Sequence, residues 1–267
     1  MAPPRDVTRV ANNVEGQPAL QMGARVGYAV NGVLHLLIAW IALQVAWSAS
    51  GKSADQSGAL QTLAGSSLGR LALWVAVLGF LALGLWQLAS AVAVRTRGKS
   101  SQWADKVKGI SKAVVYLALA WTSFSFATGQ PSSSKAQSAD FTATLLQHPG
   151  GRLLVAVIGL VIIGIGGYHV VKGWTKKFLT DLSENPGMLA TRAGVIGYIA
   201  KGIALALVGV LFVTAAAQNS ASKATGLDGA LRSLRQQAFG PWLLTAVGLG
   251  IAAYGVYSFA RARHARV

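Results

Sequence analysis

Cysteine is absent from all 267 residues. That excludes disulfides, thiolate metal sites, cysteine nucleophiles and palmitoylated cysteine. Charge is scarce: 12% of the residues are Asp, Glu, Lys or Arg, where a soluble domain carries about 25%. Acid is scarcer still, with eight carboxylates, all in tails or loops. Their absence from every apolar run counts against a proton-coupled transporter of the Asp/Glu type and against paired-carboxylate hydrolysis. There is no phosphate-loop motif, no HExxH and no GxSxG, so no reaction is read from a motif. The first 25 residues are polar, carry Pro3, Pro4 and Pro18, and lack the short apolar core of a cleavable signal.

What remains is apolar. Broadly hydrophobic residues make up 53% of the chain, with 31 glycines. Six runs are long enough to cross a hydrocarbon core, which takes about 20 helical residues: Val26–Trp47, Leu71–Val94, Gly109–Ala127, Leu153–Val171, Ala193–Ala217 and Trp242–Ala260. Glycine at this frequency suits membrane helices, where small residues let backbones approach closely.

The runs form three copies of one unit. An offset of 81 carries Asn31 to Lys112 and Trp40 to Trp121, and a further 89 carries Lys112 to Lys201. The second runs align at 82 and then 89, which superposes Gly84, Gly166 and Gly255, and likewise Trp86, Tyr168 and Tyr257. Each unit holds an even number of crossings, so all three share one orientation, as in parallel repeats about the membrane normal. The expected architecture is an all-α, six-helix transmembrane bundle with pseudo-threefold symmetry. Its expected parts are a disordered tail over 1–21, repeats over 22–98, 99–186 and 187–262, and a basic tail over 263–267. Between the two runs of each unit, a Ser/Gly/Lys-rich stretch precedes a short amphipathic segment, clearest at Ala59, Leu60 and Leu63 and at Ala230, Leu231 and Leu234. These segments are read as helices lying on the surface of the bundle.

A net charge of +16 invites a nucleic-acid reading, but the distribution opposes it. Fifteen Lys and Arg fall in the tails and in the loops around Arg97 and Lys176, seven in the loops around Lys52, Lys135 and Lys223, and two, Lys112 and Lys201, inside spans. That alternation is the positive-inside pattern, with both termini cytoplasmic. Trp47, Trp103, Trp174 and Trp242 sit near span ends, where indole suits the headgroups, and Trp40, Trp74, Trp86 and Trp121 are expected between helices.

The chain resembles a family of bacterial integral membrane proteins catalogued as a domain of unknown function and built from three tandem two-helix repeats. The resemblance rests on GYAVNG at Gly27–Gly32, GYIAKG at Gly197–Gly202, the aligned Gly84, Gly166 and Gly255, and the aromatic positions near the second-run ends. It covers about 21–262 and implies six helices, an inner-membrane address and no established activity; separately, no cofactor is expected. The first copy departs from it with Asn31 where the others have Lys.

Lys112 and Lys201 are the candidate functional residues, because an amine inside an apolar span is costly and marks function by default. With Asn31 they form either a polar ring that binds an anion or lipid headgroup, or a set of side chains that snorkel to the interface. His35 and His169 occupy different repeat positions, which fits hydrogen-bonded core histidines better than a haem pair. Gly84, Gly166 and Gly255 are expected to pack helices. The leading reading is a non-enzymatic structural or accessory protein that binds lipid or a membrane complex; the alternative is a small pore or transporter. The expected partners are anionic membrane lipids or another membrane protein, not nucleic acid.

Overall fold

A computed structural model describes residues 17–48, 51–93 and 99–266; the expected tail over 1–21 and Arg97 lie mostly or wholly outside them. The described chain is helical, with nine α-helices and no extended strand. They are α1 Pro18–Trp47, α2 Gln56–Ala64, α3 Ser67–Ala93, α4 Lys99–Ala127, α5 Ser134–Leu146, α6 Gly151–Trp174, α7 Met188–Ala217, α8 Gly226–Arg235 and α9 Gly240–His264. Six of them, α1, α3, α4, α6, α7 and α9, are long and apolar enough to cross a membrane. Several outrun their apolar windows. At 30 residues, α1 and α7 each extend about 45 Å, enough to pass through both headgroup layers. Pro18 opens α1 at its first turn, where the missing N–H costs nothing.

The three short helices α2, α5 and α8 lie on one side of the bundle, and both described chain ends lie on the other, here called the tail side. Asp55 caps α2 by accepting the Gly58 N–H at 3.0 Å, and Ser133 caps α5 through the Ala136 N–H at 3.2 Å. Caps of this type stabilise a helix by about 1 kcal/mol, which matters most for helices of 9 and 13 residues that are marginal alone. Burial pushes the Asp55 carboxyl above its ordinary value against its hydrogen bonds from Ser57 and Gly58. The first and third loops are tied together by Asp228. It accepts the Ala54 N–H at 2.8 Å and Arg232 Nε at 3.0 Å, while Arg232 Nη2 donates to the Lys52 carbonyl.

The spans pack in the order α4, α3, α1, α9, α7, α6. The second span of each repeat packs on the first span of the next: α3 on α4, α6 on α7, α9 on α1. Each of these contacts has a glycine at its closest point. A Cβ on Gly166 would stand 2.6 Å from the Gly202 carbonyl oxygen, one on Gly255 3.0 Å from that of Gly32, and one on Gly84 2.9 Å from the Leu117 side chain and 3.5 Å from the Ala113 carbonyl. Gly32, Ala113 and Gly202 share one repeat position. Within a repeat, α1 packs on α3 and α7 on α9, but α4 and α6 of the second repeat are not packed together.

Leu34, Ile38, Phe80, Phe126, Leu244 and Ile251 form the apolar core, closed on the short-helix side by Leu60 and Leu231. The tryptophans depart from expectation. Trp40, Trp74 and Trp121 are exposed on the outer surface, and only Trp86 is drawn inward. At 100° per residue a span offers few inward positions, and in α1 these are held by Ile38, Ala39, Ile41 and Ala42, leaving Trp40 on the outside.

Candidate functional site: a basic and aromatic cluster on the tail side

Both ends of the helix arc contribute to one polar cluster on the tail side. Its basic members are Lys112 on α4, Lys172 on α6, Lys201 on α7 and Arg261 on α9. Its acid is Asp181, at the end of a short 3-10 helix, Lys177–Asp181, in the linker between α6 and α7. Lys172 Nζ donates to Asp181 Oδ2 at 2.6 Å, and Arg261 Nη2 stands 4.0 Å from the same oxygen. Lys112 lies within electrostatic reach of Asp181, Arg261 and Lys172. Burial alone would raise the Asp181 carboxyl, but Arg261 and then Lys172 outweigh it and hold the group below its ordinary value.

Aromatic faces line the cluster. The Arg261 guanidinium lies 4.3 Å above the Tyr28 ring and Lys201 Nζ 4.2 Å above the Tyr254 ring, with Lys172 more distant over Tyr198 at 5.3 Å. A desolvated contact of this kind contributes about 2 kcal/mol. For Lys201 the Tyr254 ring stands in for a carboxylate, since Lys201 forms no salt bridge among the described residues. Arg261 is buried, and its Nε has no hydrogen-bond partner among the described residues.

The linker seals this end. Phe178 is fully buried, with its ring 5.2 Å from Tyr198 and 5.0 Å from Tyr257, and the Tyr257 hydroxyl donates to its carbonyl at 3.4 Å. Gly194 gives it room, since a Cβ there would stand 2.5 Å from the ring. Past the linker, Leu182 and Ala265 form an antiparallel bridge, Arg266 Nε donates to the Leu182 carbonyl at 2.7 Å, and the Ser183 N–H donates to the His264 carbonyl at 2.7 Å. Residues 265 and 266 therefore seat against the linker.

Of the residues singled out in the sequence, Asn31 is buried and donates to Ser258 Oγ on α9 at 3.2 Å. Lys201 rests on the same helix through Tyr254. Asn31 and Lys201 thus both meet α9. His35 and His169 donate from Nδ1 to the carbonyls of Asn31 and Ile165, each at 2.8 Å. Among the described residues no cluster of His and carboxylates is placed to hold a metal. Sequence reasoning missed Lys172, Arg261 and Asp181. The first two carried a signal, because Ser90, Lys172 and Arg261 fall on one repeat position at the same offsets. Asp181 lies outside the repeated unit and carried none.

The pattern of three units is also a family pattern. A family model described as Domain of Unknown Function (DUF1206) matches residues 26–93, 107–176 and 196–265, so three tandem copies cover most of the chain. The chain belongs to the DUF1206 family. The DUF1206 chain is 28% identical over 251 residues to the uncharacterized protein YxxB of Bacillus subtilis (strain 168), covering 91% of this chain and 90% of that protein. No solved structure matches it. Within this DUF1206 protein, Asn31, Lys112, Lys172, Lys201 and Arg261 all lie in matched segments, whereas Phe178 and Asp181 fall in the gap between the second and third. The basic cluster is therefore built by the repeats, and the acid that caps it is an addition between them.

Proposed function

We propose that this protein is a non-enzymatic accessory protein of a bacterial plasma membrane, with both termini cytoplasmic, that holds an anionic lipid headgroup at the tail-side cluster. The observation that carries this reading is the charge balance of the site. Among the described residues, Lys172 and Arg261 share the carboxylate of Asp181, Lys201 rests on the Tyr254 ring instead, and a buried Arg261 Nε is left without a partner. A buried donor without a partner costs free energy, and a phosphate oxygen is the acceptor that guanidinium fits best. The tail side is also the basic side of the chain, the side on which anionic lipids attract Lys and Arg.

The pore alternative has less support. Leu34, Ile38, Phe80 and Ile251 fill the interior beyond the cluster, so an ion leaving the cations would meet packed hydrocarbon. The three contacts of second span on next first span support the pseudo-threefold plan. They also support the packing role of Gly84, Gly166 and Gly255.

Lipid analysis tests the reading. Purified from membranes in mild detergent, the protein is expected to retain phosphatidylglycerol over phosphatidylcholine, and the Lys201→Met/Arg261→Gln variant to lose that preference at least fivefold. Thermal protection of delipidated protein by inorganic phosphate alone would assign the cluster to a free anion instead. An unchanged lipid profile in a folded variant, or anion flux through reconstituted protein, would overturn the lipid reading.

A further inference from the structure

We infer that the opening between α4 and α6 is a lateral portal that admits an acyl chain of the lipid whose headgroup sits on the basic cluster. The inference rests on the headgroup reading above and adds where the rest of that lipid lies. Its basis is a difference among three copies of one interface. In the first repeat α1 meets α3 at Gly27 and Gly79: a Cβ on Gly27 would stand 2.5 Å from the Gly79 carbonyl oxygen. In the third, α7 meets α9 at Gly197, where a Cβ would stand 2.5 Å from the Tyr254 backbone. Gly250, the counterpart of Gly79, lies against Ala200. The second repeat has Lys108 in place of Gly27 and Gly197, and Val161 in place of Gly79 and Gly250. Those side chains occupy the space into which the backbones would close, so the same crossing cannot form.

The consequence is that apolar faces of α4 and α6 are left without a helix partner, and these are the walls of the proposed cleft. Val115 is 57% exposed, while its counterparts Leu34 and Ala204 are 1% and 3% exposed. Ile165 is 45% exposed, against 0% for Leu83 and 4% for Tyr254. A Cβ on Gly164 would meet nothing within 4 Å. The cleft leads to the cations, because each of its walls carries one: Lys112 stands one turn from Lys108 on α4, and Lys172 one turn from Tyr168 on α6. Both face Asp181. A hydrocarbon slot that ends at basic side chains matches a phospholipid, with the chain in the slot and the phosphate on the cations. A second protein helix would fill the slot but would leave the cations without an anion.

The test uses the full chain in phosphatidylcholine vesicles with a trace of phosphatidylglycerol or phosphatidylcholine carrying a photoreactive acyl chain, and maps adducts by peptide mass analysis. The expected result is phosphatidylglycerol adducts at Val115, Val161 and Ile165, none at Leu34, Leu83, Ala204 or Tyr254, and at least a fivefold loss of them in Lys201→Met/Arg261→Gln. Val115→Trp, a substitution at an exposed site, fills the cleft without touching the cluster and should also suppress adducts at Ile165. Equal labelling of the cleft by both probes, unchanged in the charge variant, with phosphatidylglycerol co-purifying with the wild type and lost from the variant, would overturn the portal and leave the headgroup site standing. Loss of all phosphatidylglycerol preference in the wild type would instead overturn the headgroup reading. An unlabelled cleft in a protein that cross-links as a dimer through α4 and α6 would assign the cleft to a second copy and overturn the portal.

Discussion

At the scale of single residues, the glycines divide by what surrounds them. Gly164 and Gly166 sit two positions apart on α6, so they face different directions. Gly166 abuts the backbone of α7 at Gly202 and Ala206, and Gly164 faces open space. In lipid there is little hydrophobic drive between helices, so close backbone packing carries the association. A leucine at 166 must push α6 away from α7, because backbone atoms cannot rotate aside as a flexible side chain can. The expected loss is at the upper end of the usual overpacking range, about 3 kcal/mol. Gly166→Leu should therefore melt well below wild type in detergent, and Gly164→Leu should melt at or near the wild-type temperature. Equal melting of the two variants would show that Gly166 has no packing role.

At the scale of elements, the linker between α6 and α7 is held by one aromatic plug and one carboxylate. Phe178 docks among tyrosines, and Asp181 joins Lys172 and Arg261. The Asp181 carboxyl is held below its ordinary value of 3.8, so its contribution is present above that pH and is lost as pH falls through the lower, folded value. Linker docking should thus be constant from neutral pH down to about pH 5 and weaken below about pH 4. Asp181→Asn removes the charge at every pH. It leaves Lys172 and Arg261 facing each other in a buried site, at a cost of about 3 kcal/mol, the low end for a broken buried pair because Asp181 is partly exposed. Hydrogen exchange across residues 176–186 should rise in Asp181→Asn at neutral pH, and wild-type protection there would refute the strap. This strap was not legible in the sequence. The helices were, because 20-residue apolar runs and a repeated offset leave little freedom, and the amphipathic spacing at Leu60 and Leu231 gave the short helices. A linker outside the repeat has no periodicity to read. Lys172 and Arg261 sat at aligned positions but counted as loop charges, since the apolar windows ended just before them. The cleft was equally present in the aligned Gly27, Lys108 and Gly197, yet its meaning depends on knowing that this position is a helix crossing.

At the scale of the whole molecule, two different ends are built on one set of spans. One end carries three short helices fastened by Asp55, Ser133 and Asp228, and the other carries both described chain ends, the linker strap and the cations. In the sequence, fifteen basic residues fall in the tails and the loops expected on the cytoplasmic side, against seven in the loops expected opposite. Lys and Arg in short loops resist translocation, so this bias predicts an orientation with the cations towards the cytoplasm. The charge that orients the molecule is then also the charge that would collect an anionic lipid from the cytoplasmic leaflet. Absence of cysteine makes the orientation directly measurable, because any introduced thiol is the only one in the chain. Lys177 in the linker, Lys135 in the first turn of α5 and Lys223 in the loop before α8 are exposed, so single Cys substitutions there should leave the fold intact. An impermeant thiol reagent applied to intact cells is expected to label Lys135→Cys and Lys223→Cys, and to reach Lys177→Cys only after the membrane is opened. Labelling of Lys177→Cys from outside would reverse the molecule. The basic cluster would then open on the leaflet opposite the one whose anionic surface its charge is read to match.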